Sequence, residues 1–213
     1  MAAPSSEAER QRDKERTRAD ILAVATREFA DKGYTGARVD EIAARTSTTK
    51  RMIYYYFGGK EQLYLAVLEK AYLTIRALEK HVDVERLDPE DALRQLAALT
   101  FDHHEANPDF IRLVSIENIH RAEHLAQSEI LPGLADPALG GITRILQRGR
   151  EAGRFRADAD ALDVHMVISS FCVFRLANRH TFQAIFSRDL LDPARRAHYR
   201  KMLGDLVIDY LTA

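Results

Sequence analysis

The sequence predicts an all-α protein: a three-helix N-terminal head containing a helix-turn-helix, joined by a connecting helix to a larger helical C-terminal domain. Three observations predict it. Apolar residues recur at helical spacing along nearly the whole chain, with no alternating run of the kind a half-buried strand needs. Proline or glycine falls between these runs, at Asp88-Pro89, Asn107-Pro108, Gly153 and Asp192-Pro193, where helices stop and start. Two short amphipathic segments also flank a polar turn between Arg38 and Lys60.

Residues 1–13 are rich in charge and read as a flexible tail. The first helix is expected from near Arg16 to Lys32, with Ile21, Ala25 and Phe29 on one stripe and a stop at Gly33, which tolerates a left-handed cap. A second helix, about Asp40 to Arg45, turns Val39, Ile42 and Ala43 inward, and small Ala43 and Ala44 let the next helix cross closely. Ser47 and Thr48 make the turn, and the hydroxyl of Thr48 or Thr49 caps the third helix. From Glu61 to about Val82, Leu63, Val67, Ala71, Ile75 and Leu78 continue at helical spacing as a connecting rod. Later helices are expected over Pro89 to Ala106, Pro108 to about Leu125, Ile142 to Ala152, Ala159 to about Phe186 and Pro193 to Leu211, with a break over Leu131 to Gly141. Several start with proline, whose missing amide hydrogen costs nothing in a first turn. The stretch HMVISSFCVFRLANRH is apolar around most of its circumference, as suits a helix buried between layers or between subunits. With Tyr199, Leu203, Leu206 and Tyr210 of the last helix, it could form an intersubunit four-helix bundle. The boundaries this implies are a head over residues 14–60 and a second domain over 61–213.

At about 100° per residue, Ile53 and Phe57 share one face of the third helix. Arg51, Met52 and Tyr55 fall on the opposite face, with Lys50 and Tyr54 between. The second helix of a helix-turn-helix enters the major groove, where Arg or Lys bonds guanine and an apolar group meets a thymine methyl. Lys50, Arg51 and Met52 are therefore candidate base readers. Tyr54, Tyr55 and Lys60 suit phosphate oxygens, which fix register without reading sequence. The competing reading makes the YYYF run aromatic core. That fits Phe57 and Tyr56, but aromatics on both sides of so short a helix cannot all be buried, and exposed rows of them mark interfaces. For Lys50 and Arg51 the competing reading is a solvated basic face. Residues 10–60 hold twelve Lys or Arg against seven Asp or Glu, a net +5 that leaves −6 for the remainder of a chain of net charge −1. A basic end on an acidic protein is the footprint phosphate neutralisation requires.

The run from about Thr17 to Tyr72 resembles the DNA-binding domain of the TetR family of bacterial transcriptional regulators. The landmarks are Phe29, Gly33-Tyr34, Ile42-Ala43, Tyr54 through Phe57, Lys60 and Leu63. The resemblance implies DNA contacts from Arg38, Thr48, Thr49, Lys50, Arg51, Tyr54, Tyr55 and Lys60. It also implies a homodimer, a palindromic double-stranded DNA operator and a small-molecule effector read by the C-terminal domain. Three positions depart from the family pattern: Ser47 stands for the usual turn glycine, Thr48 for valine and Arg38 for threonine, so the turn is expected to be tight or strained. The family fold also includes proteins that act chiefly through a protein partner, and activators, and both remain open alternatives to a repressor.

No apolar run approaches the roughly 18 residues that span a bilayer, and the polar start has no signal-peptide core, so a cytoplasmic protein with no membrane role is expected. Cys172 is alone, which excludes a disulfide framework and a cysteine zinc cluster; within VISSFCVF it reads as a core residue. No nucleophile elbow, phosphate loop or Ser-His-Asp order is present, so neither an enzyme nor a cofactor is expected. Polar residues on otherwise apolar faces are candidate effector contacts: His103, Glu117, His120, Arg175, Asn178 and His180, with Phe101, Phe110, Leu113, Phe171 and Phe174 as walls. The alternative for each polar one is pairing within the protein. Glu117, His120 and His124 share a helical face, but without a third strong ligand of known position no metal site is assigned.

Overall fold

The computed structural model describes residues 7–80 and 82–212; the side chains of Ala8 and of residues 135–138 lie outside the description. The described residues form helices and turns, with no strand among them. They divide into two compact units, one running to Lys70 and taking in Arg112–Ser128, the other comprising Ala71–Ile111 and Glu129–Ala213. The expected boundary after residue 60 is thus moved. Two helices, α4 (Lys60–Glu79) and α6 (Pro108–Ile119), contribute residues to both units.

The first unit is built on α1 (Glu7–Gly36), α2 (Val39–Ala44), α3 (Lys50–Phe57) and the first half of α4. Helix α1 begins at Glu7, well before Arg16, so residues 7–13 of the expected tail are helical; residues 1–6 lie outside the described residues. At Gly33 the backbone takes φ 67° and ψ 176°, which bends the chain as the glycine stop predicts. Ile21, Ala25, Phe29, Val39, Ile42, Ile53, Phe57, Leu63 and Tyr64 form the core, joined by Leu113 from α6.

The second unit packs α5 (Pro89–Ala106) against α10 (Pro193–Thr212), α8 (Ala161–Ala177) and α7 (Ala135–Glu151). Leu93, Phe101, Ile145, Leu146, Ile168, Cys172, Leu203 and Leu211 are central to this core. Prolines begin α5 and α10 as expected, and Asp88 caps α5 by accepting from the Glu90 amide.

Four expected helix bounds are corrected. α4 stops at Glu79, not Val82. α6 stops at Ile119, not Leu125: Ala122 N–H bonds Glu117 O at 2.7 Å while Arg121 and Ala122 take φ 58° and 57°, a closing turn made without glycine. α7 starts at Ala135 and continues through Gly140 and Gly141, because its later turns are buried through Ile142, Ile145 and Leu146. The single helix expected over residues 159–186 is two, α8 and α9 (Arg179–Phe186), bent by 67° at Asn178. Arg179 holds the bend by a two-pronged pairing with Asp189 at 2.9 and 2.6 Å. Among the described residues no single helix is long and apolar enough to cross a membrane.

Candidate nucleic-acid interface

Helix α3 is held by one face. Ile53 and Phe57 are buried, and Thr49 caps its start by accepting from the Met52 amide at 3.3 Å. Tyr55 is 69% exposed, Tyr54 43% and Met52 37%, with Arg51 also in solvent. The short helix thus has a buried apolar edge and an exposed Arg, Met and Tyr edge, the two faces the spacing predicted. Tyr56 is half-buried, and its ring meets that of Tyr55 at 5.4 Å. The turn between α2 and α3 is not strained: no residue in it has positive φ, and Arg45 closes α2 at φ −99°.

The remaining candidates divide. Arg38 is exposed at the start of α2, and Thr48 is half-buried in the turn. Lys50 pairs with Asp40 at 3.0 Å, with both side chains half in solvent, an ion pair that solvent screens and DNA phosphate can displace. Lys60 is half-buried; its ammonium donates to Thr35 O at 3.3 Å and lies 4.8 Å from the centre of the Tyr34 ring, and burial lowers its pKa.

Two buried carboxylates organise the first unit: Glu28, which the sequence reading missed, and Glu117, which it took for an effector contact. Glu28 is 1% exposed and receives Lys32 at 2.8 Å, Arg45 at 3.1 Å and the Arg38 amide at 3.4 Å, tying α1 to the start and end of α2. Burial pushes its carboxyl up, but those hydrogen bonds and the Lys32 and Arg45 charges outweigh burial and leave it below the usual carboxylate value. Its position seven residues after Ile21, on the buried stripe, was the available signal. The second is Glu117, also 1% exposed, which accepts from the Leu125 amide at 3.0 Å and sits 3.3 Å from His124 Nδ1. Burial and the neighbouring Glu117 charge push the Tyr64 phenol well up. The rings of Phe29, Tyr34, Tyr64 and His124 pack together behind α1 and α4.

The helix-turn-helix geometry agrees with comparisons to known proteins. Residues 21–67 match the family model "Bacterial regulatory proteins, tetR family", and residues 89–207 match "Tetracyclin repressor-like, C-terminal domain". The chain is 35% identical, over 91% of its length and 92% of the relative's, to the HTH-type transcriptional repressor NicS of Pseudomonas putida. It belongs to the TetR family. Another relative is the HTH-type transcriptional repressor SCO4008 of Streptomyces coelicolor, 39% identical over 51% of this chain and 53% of that one. Among solved structures, the transcriptional regulator SCO4942 of Streptomyces coelicolor superposes with a TM-score of 0.65 at 29% identity, covering 89% of this chain and 97% of that one. As a TetR-family member the protein is a DNA-binding transcriptional regulator and not an enzyme.

The structure distributes the effector candidates between the two units. Leu113 and Glu117 are buried in the first unit, which holds the DNA-binding helices, and His120 is exposed there. Phe101 is core, and Arg175, 3% exposed, is held within the protein through Nη2, which donates to Leu190 O at 3.0 Å and pairs with Glu105 at 3.3 Å, while its guanidinium lies 4.1 Å from the Phe101 ring centre and its Nε is buried without a hydrogen-bond partner. Asn178 is half-buried at the α8–α9 bend, and Phe174 and His180 are exposed. Phe171 is half-buried against the core. His103 and Phe110 remain, buried and packed against one another. Cys172 is core as expected, and burial pushes its thiol to about 12, which leaves it inert.

Proposed function

We propose that the protein is a homodimeric transcriptional repressor of the cytoplasm, bound to a palindromic operator and released from it by a small molecule. The observation that carries the DNA reading is α3 itself, anchored by Ile53 and Phe57 while Arg51, Met52, Tyr54 and Tyr55 stand in solvent. Repression is supported by relatives named as repressors. A dimer is supported by apolar side chains left in solvent on the second unit: Leu162, Met166 and Phe174 on α8 and Met202 and Leu206 on α10. A two-fold dimer presents two reading helices, and a palindrome with matching half-site spacing follows. Tyr199 and Leu203, expected on that face, are instead buried in the protomer core.

Release works by population shift: the effector binds better to the conformation whose reading helices are wrongly spaced, and operator affinity falls by the coupling energy. Selection of sites from a random duplex library, with the winner's affinity followed against salt, tests the reading. A palindromic consensus with a steep salt slope is expected; weak binding indifferent to sequence would overturn it.

A further inference from the structure

The second unit buries a positive charge that nothing in the DNA-binding mechanism uses. Arg76 in the last turn of α4 is 11% exposed, and its close polar partner among the described residues is Glu79, equally buried, at 2.6 Å. The Nη1 of Arg76 and the Oε2 of Glu79 that face one another are both buried and make no well-aligned hydrogen bond, and such groups are costly away from water. Burial raises the Glu79 carboxyl against the pull of the Arg76 charge, which weakens it as a counter-ion. Burial and then the Arg76 charge lower His103 and His165, and burial, with Arg76 contributing, takes His104 down to about 4, so protonation of these imidazoles is disfavoured. The cluster is therefore a guanidinium in an aromatic setting with one weak anionic partner.

Aromatic rings gather beside this pair. Tyr72 meets Phe110 edge-on at 5.2 Å, and Phe110 meets His104 at 5.4 Å and His103 at 6.3 Å. His104 Nδ1 donates to Thr100 O at 2.8 Å, which leaves Nε2 as an acceptor. His103 Nδ1 faces the Asn107 amide nitrogen at 3.3 Å, so Nδ1 accepts and Nε2 carries the proton. His165 is engaged by Ser169 at 3.3 Å. Donors thus come from Arg76 and His103, an acceptor from His104, and apolar walls from Tyr72 and Phe110.

We propose that the effector is a small organic acid whose carboxylate displaces Glu79 from Arg76, takes a further hydrogen bond from His103, and lays its apolar body against Tyr72 and Phe110. Arg76 provides the forked donor geometry that a carboxylate matches two bonds at a time. Glu79 is a competing internal anion, and its displacement disturbs the end of α4, the helix that begins at Lys60 beside the reading helix. The inference rests on the regulator reading above and names the ligand class for it.

The test uses the full chain and paired probes of matched shape: benzoate with benzamide, and hexanoate with hexanamide, followed by calorimetry and thermal melting. At least one acid is expected to bind saturably, about 100-fold more tightly than its amide, and to release the selected operator. Arg76→Met should abolish that preference while leaving operator affinity without acid unchanged; it should still fold, because Glu79 can take up a proton once its partner is gone. Glu79→Gln removes the competitor and should tighten the acid about tenfold. No acid favoured over its amide, acid binding retained in Arg76→Met, or weakened binding in Glu79→Gln would each overturn the proposal. The binding arms need no DNA. Failure of duplex selection with acid binding intact would therefore count against the regulator reading alone, and intact selection without acid preference against this inference alone.

Discussion

Exposed residues of α3 and the groups around it divide into readers and holders. Arg51 stands in solvent and Lys50 is engaged only by a surface pairing with Asp40, so Arg51→Ala and Lys50→Ala are expected to change the selected consensus at one or two positions of each half-site. Tyr54→Phe and Lys60→Ala should weaken all duplexes nearly equally; a change of consensus with Lys60→Ala would end that division of labour. Glu28 acts on stability. Its carboxyl is depressed in the folded protein, so its contribution is full above the unfolded carboxylate range and is lost as pH falls through the folded value. Glu28→Gln should cost on the order of 2 kcal/mol at neutral pH, since hydrogen bonds to a buried charge are lost, and the gap in melting temperature from the wild type should close in acid. A constant gap across pH would show that shape, and not charge, explains Glu28.

Helix ends show where local chemistry suffices and where it does not. Gly33 has φ 67°, and a Cβ there would meet nothing within 4 Å, so Gly33→Ala is a purely conformational change. It should cost about 1 kcal/mol, read as a lower denaturant midpoint at unchanged slope. Gly149 is the opposite case. Its backbone is ordinary helix, but a Cβ would overlap the Phe155 ring, which is 6% exposed in the core. Gly149→Ala should cost more than Gly33→Ala, with Phe155→Leu in the same chain recovering part of the loss; equal costs would mean that Phe155 moves aside freely. The ends of α6 and α8 carry no such residue. Glu117 closes the first by binding the Leu125 amide, and the Arg179–Asp189 pair secures the bend after the second.

For the whole molecule, the apolar side chains of α8 and α10 matter more than their number suggests, because they recur on one face. Leu162 and Met166 are four residues apart, as are Met202 and Leu206, and all four are exposed, with Phe174 completing the patch. Exposed apolar side chains grouped in this way suit a subunit interface. Met166→Asp is expected to give a monomer by sedimentation, with palindrome affinity reduced at least tenfold and half-site affinity retained. A dimer that survives both Met166→Asp and Leu206→Asp would put the interface elsewhere.

Much of the fold was legible because it is written locally. Helix period, the glycine at position 33, the prolines at 89, 108 and 193 and the threonine cap are encoded within a few residues of where they act, and so were the two faces of α3. The candidate DNA contacts could be named because a helix of eight residues with Ile53 and Phe57 inward has its other face determined by geometry. Long-range pairing was not legible. Arg175 looked like a ligand contact until Glu105, seventy residues earlier in the chain, and Leu190 were found to hold it, and Leu113 and Glu117 looked like sensor residues until they were found among the DNA-binding helices. The sequence by itself determined the helical class, the family and the exposed face of α3; only the tertiary structure decided where several helices end, which distant groups hold Arg175 and that Arg76 is left with Glu79. The reason is physical: helix period and caps depend on neighbours within about one turn, whereas satisfaction of a buried charge depends on groups brought from any distance along the chain.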